Sequence, residues 1–133
     1  METGLLGLDF RGRRAKKDRK EIIPNITSMD IDTFRDYCLA KKAVTEHLPF
    51  DPETLVFKVM GKMFALVSLD AVPLRVNLKC DPERALELRE EYDGKIIAGY
   101  HMNKQHWNTM ILDCEIPTQL IFELTDHSYH LIV

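Results

Sequence analysis

The chain has 133 residues, 45% hydrophobic and 29% charged, with a formal net charge of −3. That fits one soluble domain with a modest core. No apolar run is long enough to span a bilayer, and the start lacks the pattern of a secretory signal. The three cysteines, Cys38, Cys80 and Cys114, are isolated and form no CxxC pair, which points to reduced thiols in a cytoplasmic protein.

Charge is divided along the chain. Residues 1–28 carry seven Lys/Arg against four Asp/Glu, all seven cations in "RGRRAKKDRK", leaving eleven against seventeen from residue 29 onward. The first segment has little apolar surface to bury and reads as a basic, disordered extension. A single compact domain is expected over residues 29–133.

In chain order, "MDIDTFRDYCLAKK" places Ile31, Phe34, Cys38 and Leu39 on one helical face, with Asp30 as cap. The stretch "AVTEHLPFDPE", broken by Pro49 and Pro52, reads as a loop. "TLVFKVM" and "MFALVSLD" read as a hairpin with Gly61-Lys62 as a type II′ turn. That turn pairs Met60 with Met63 and Lys58 with Ala65. It places Val56, Lys58, Met60, Met63, Ala65 and Val67 on one face, and Leu55, Phe57, Val59, Phe64 and Leu66 on the other.

"PLRVNLKC" alternates as a half-buried strand, with Arg75, Asn77 and Lys79 opposite Leu74, Val76 and Leu78. "DPERALELREEY" opens a second helix, capped by Asp81 with Pro82 at its first position. Short strands follow near Ile96–Tyr100 and Trp107–Asp113. A last helix runs from about Pro117 to Leu131, with Leu120, Leu124 and His127 or Ser128 on one face.

The order is α-β-β-β-α-β-β-α. It predicts an α+β two-layer sandwich, an antiparallel sheet with its helices on one face. The other face would then be open. It would mix apolar side chains with Lys58, Arg75, Asn77 and Lys79, while the acids of the first two helices lie on the far side. Such a face is either solvated or a binding surface.

The stretch "GYHMNKQHWNTM" gathers His101, Asn103, Lys104, His106, Trp107 and Asn108 between two strands. His101 and His106 have a spacing found in zinc sites, and His127 and His130 lie one turn apart on the last helix, but no cysteine pair accompanies them. Cys80 or Cys114 could act as a nucleophile with a histidine, but no oxyanion hole or nucleophile turn is legible. A glycine-rich phosphate loop is absent from the sequence. The stretch suits a binding loop for a phosphate, a base or a peptide: Trp107 for stacking, Lys104 for charge, the asparagines for paired hydrogen bonds. It also suits a structural turn, with Asn103-Lys104 at the bend, His106 bonding backbone and Trp107 in the core.

The stretches "DTFRDYCLAKKAVTEHLPFDPETLVFKVMGKMFAL", "VNLKCDPERALELRE", "GYHMNKQHWNTM" and "LTDHSYHLIV" resemble the MmcQ/YjbR family. The resemblance covers nearly the whole domain from Met29. It implies a small α+β fold similar to frataxin-like and secretion-chaperone-like architectures, and DNA binding through a double-wing motif. The basic extension departs from the family pattern.

The sequence therefore predicts a non-enzymatic module, without catalytic residues, metal or cofactor, binding DNA as a cytoplasmic monomer. Its site residues would be Lys58, Arg75, Asn77, Lys79, His101, Asn103, Lys104, His106 and Trp107. The alternative is a protein-interaction or small-ligand module using the same surface. No membrane partner is expected.

Overall fold

The computed structural model describes residues 29–99, 102–113 and 115–133. The expected N-terminal extension, His101 and Cys114 lie outside these residues.

Among the described residues three helices cover one face of a six-stranded antiparallel sheet. Helix α1 spans Ile31–Leu39, strands β1 to β4 span Thr45–His47, Thr54–Val59, Lys62–Ser68 and Leu74–Lys79, and helix α2 spans Pro82–Glu91. Strands β5 (Ile96–Ala98) and β6 (Trp107–Leu112) and helix α3 (Thr118–His130) complete the chain. The sheet order is β1-β2-β3-β4-β6-β5. β1 is an addition to the expected order: the stretch expected as a loop pairs Thr45, Glu46 and His47 with Lys58, Phe57 and Val56.

Local chemistry sets the helix starts. The Asp30 carboxylate accepts from the Thr33 amide at 2.8 Å, and Asp81 accepts from the Arg84 amide at 3.2 Å with Pro82 next in line. The core between helices and sheet gathers Phe34 and Cys38 from α1, Ala85 and Leu88 from α2, and Ile121 and Leu124 from α3. On α3 the buried line runs through Ile121, Leu124, Thr125, Ser128 and Tyr129, with Leu120 only half-buried. Ser128 sits in it because its hydroxyl is fully used: it donates to the Phe64 carbonyl and accepts from the Lys79 amide at 3.0 Å.

The hairpin register differs from the expected one. Met60 and Gly61, not Gly61 and Lys62, are the turn residues, with φ of 53° and 74°. Positive φ at both central positions makes a type I′ turn, whose twist matches the flanking strands. Val59 therefore pairs with Lys62 and Lys58 with Met63. Between Phe57 and Lys58 the register steps by one, leaving Phe64 as the extra residue, so Phe57 pairs with Ala65 and Val56 with Leu66.

A one-residue change of register exchanges the faces of a strand. Ala65 and Val67, expected on the open face, join Leu55, Phe57 and Val59 in the main core, while Leu66 moves to the other face beside Val56. Phe64 stays in the main core, as expected.

Candidate nucleic-acid interface

The face without helices is built from alternate positions of every strand. Along β4 these are Arg75, Asn77 and Lys79, since Val76 and Leu78 between them belong to the core. Their neighbours are Ser68 and Leu66 on β3 and Ile111, Thr109 and Trp107 on β6. Lys58, Val56 and Thr54 continue the face on β2, and Thr45 and His47 on β1.

The centre of this face is closed. Val56, Leu66 and Trp107 are buried together, with Met63 and Met102 packed against them. The apolar patch expected there is thus a small second core. Trp107, 7% exposed, is one of its members and is not free to stack on a ligand. Around it Arg75 is exposed, and Lys58, Asn77 and Lys79 are half-buried, as are the apolar Met63, Ile97 and Ile111 of the same face. Asn77 accepts a hydrogen bond from the Thr109 hydroxyl.

Charge is distributed unevenly between the two layers. Cations on the helix side meet acids: Arg35 with Glu46, Lys41 with Asp126, and Arg84 with Glu87. The Arg35 guanidinium holds the Glu46 carboxyl below its ordinary value. Lys58, Arg75 and Lys79 form no ion pair with any described residue. The strand residues sharing their face include no Asp or Glu. Glu46 lies in β1 opposite Phe57, on the helix side, where it meets Arg35.

The loop before β6 is a structured turn. The Asn103 side chain accepts from the Gln105 amide at 2.9 Å, and its carbonyl accepts from the His106 and Trp107 amides at 3.2 and 3.0 Å. His106 is exposed, and its backbone carbonyl takes the Cys80 amide at 2.7 Å. Asn108 faces the helices: it donates to the Ala85 carbonyl at 3.3 Å and accepts from Arg89 Nε at 2.7 Å.

The expected site is therefore divided. Lys58, Arg75, Asn77, Lys79 and Trp107 share the strand face. Lys104 and Gln105 line an open cleft of about 250 Å³ with Pro82, Leu86 and Arg89 of α2. Lys104 Nζ donates to the Gly99 carbonyl at 3.1 Å. Asn103 is committed to its turn.

Two residues not singled out in the sequence matter here. His47 joins the strand face through β1, and its Thr-Glu-His alternation is the signal that could have shown this. Arg89 donates to Asn108 and to the carbonyls of Lys104 and Trp107, joining α2 to the loop.

Other chemistries have less to work with. Among the described residues no three His, Cys, Asp or Glu side chains stand together as metal ligands would. Cys80 is buried, and desolvation pushes its thiol up to about 11, which disfavours the nucleophilic thiolate. Among the described residues no helix is long and apolar enough to cross a membrane.

The family model described as YjbR matches residues 39–131, most of the chain from the end of α1 to the end of α3. The chain belongs to the YjbR family. The Escherichia coli K12 protein YjbR is 34% identical over 101 residues, covering 76% of this chain and 85% of that protein. The protein YbdF of Escherichia coli O157:H7 is 44% identical over 86 residues, covering 64% and 69%. The crystal structure of Deinococcus radiodurans protein DR2400 superposes with a TM-score of 0.74 at 43% identity, covering 80% of this chain and 79% of that one. A Pseudomonas syringae protein superposes with a TM-score of 0.66 at 27% identity, covering 77% and 98%. The two-layer α+β fold expected from the sequence is thus shared with solved relatives.

Proposed function

We propose that this YjbR-family protein is a non-enzymatic, cytoplasmic DNA-binding module that grips the phosphate backbone with its strand face. One observation carries this reading: Lys58, Arg75 and Lys79 have no carboxylate partner among the described residues and share a face that lacks acidic strand residues, while the acids of α1 and α2 lie in the other layer. A domain polarised in this way offers a positive surface despite its net negative charge, and phosphate neutralisation dominates DNA affinity.

The test is the affinity of the intact protein for labelled DNA as salt is raised. Steep loss of affinity that becomes shallower in Arg75→Glu supports the reading. No binding at low salt discards it.

A second reading, protein recognition, is favoured by a different region. Leu48, Phe50, Leu69 and Val72 are exposed on the β1–β2 and β3–β4 loops, which the Leu69 amide joins by donating to the Glu53 carbonyl at 2.7 Å. Exposed apolar groups of this kind mark protein contacts. A partner bound there would stay bound at high salt and be released by Phe50→Ser with Val72→Ser, while the salt response to DNA stayed unchanged.

A further inference from the structure

We infer that the strand face takes double-helical rather than single-stranded nucleic acid; this rests on the phosphate-binding reading above and names its substrate class. Proteins that hold single strands combine a positive groove with exposed aromatic side chains on which successive bases stack. Among the described residues this face has the charge without an exposed Phe, Tyr or Trp platform; its one exposed ring is the smaller imidazole of His47, at the β1 edge and hydrogen-bonded to Thr45 Oγ1 at 2.7 Å. Its indole, Trp107, is packed against Val56, Leu66, Met63 and Met102. No other described strand position on the face is Phe, Tyr or Trp. Phe50, at 63% exposure, lies off the face on the β1–β2 loop, directly before Asp51 and three residues before Glu53, whose carboxylates repel a phosphate chain.

The spacing of the cations also suits a duplex. Arg75 and Lys79 lie four residues apart along β4, about 13 Å. Lys58 stands two strands from β4, about 10 Å away. These separations resemble the roughly 12 Å width of the major groove, so this one face can meet phosphates on both walls. Asn77, the carboxamide among them, is engaged by the Thr109 hydroxyl. The charged chemistry of the face is thus two ammonium groups and a guanidinium, which position a duplex without demanding unstacked bases.

The experiment compares one labelled mixed-sequence oligonucleotide, alone and hybridised, binding to the full chain and to the triple variant Lys58→Ala, Arg75→Ala, Lys79→Ala. The duplex should bind the full chain about tenfold more tightly than the single strand. The triple variant should lower the duplex salt slope by about 2.7, at about 0.9 per lost phosphate contact. Trp107 emission should not be quenched by the single strand. Equal or tighter binding of the single strand, or quenching of Trp107, overturns the duplex inference while leaving phosphate binding by this face intact. A triple variant that binds both forms as well as the full chain overturns the strand-face reading itself.

Discussion

The Gly99 amide donates to the Trp107 carbonyl at 2.9 Å, and a Cβ added at residue 99 would stand 2.8 Å from the Trp107 Cβ. The strand end and the indole-bearing residue approach too closely for any side chain at residue 99. Gly99→Ala should therefore destabilise the fold by about 1–3 kcal/mol, the usual cost of overpacking. Equilibrium urea unfolding measures this; an unchanged midpoint would show that β5 can move away from β6 at no cost.

Trp107→Ala should cost about 3–5 kcal/mol, the range for truncating a large buried aromatic. The loss comes from emptying the cluster with Val56 and Leu66, not from an exposed ligand platform. Lys104→Ala, by contrast, removes an exposed side chain with one hydrogen bond to the Gly99 carbonyl and should change stability by about 0.5 kcal/mol or less. Thermal unfolding of both variants side by side separates a structural residue from a solvated one in the same loop.

Arg89→Met keeps much of the aliphatic stem but removes the donors to Asn108, Lys104 and Trp107. The Asn108 amide oxygen is then left buried without this partner, at a cost of about 1–3 kcal/mol. Hydrogen exchange should quicken at the His106 and Trp107 amides, which are held by Asn103 in the turn that Arg89 anchors. Unchanged exchange there would show that the turn holds itself.

The Asp113 carboxyl lies below its ordinary value of 3.8, chiefly because it accepts a hydrogen bond from Lys95, whose own value is raised by the same contact. A folded-state value below the unfolded one means stability that is complete above 3.8 and is lost as the pH falls through the lowered value. Asp113→Asn should flatten that part of the acid-unfolding curve. The measurement is stability against pH from neutral down into the carboxylate range, wild type against variant.

Much of the architecture is legible in local pattern. Helix starts at Asp30 and Asp81, the apolar face of α1 and the alternation of "LRVNLK" depend on residues within one turn or one pleat of each other. Those short-range rules place Arg75, Asn77 and Lys79 together on one face before any packing is known. The turn at Asn103–His106 is one of two readings that the sequence leaves open, because polar residues that shape a loop and polar residues that bind a ligand have the same composition.

What only the tertiary structure decides is where each strand's alternation is anchored and what covers the result. The type I′ turn at Met60-Gly61 and the bulge at Phe64 together set which of Ala65, Leu66 and Val67 face the helices. A period-two pattern carries no phase of its own in a strand that is apolar on both sides, so a single inserted residue exchanges the faces. The fate of Trp107 has the same cause. Its neighbours Val56 and Leu66 come from strands about 40 to 50 positions earlier, and only their pairing across β3 and β4 turns the indole from a stacking platform into part of a core.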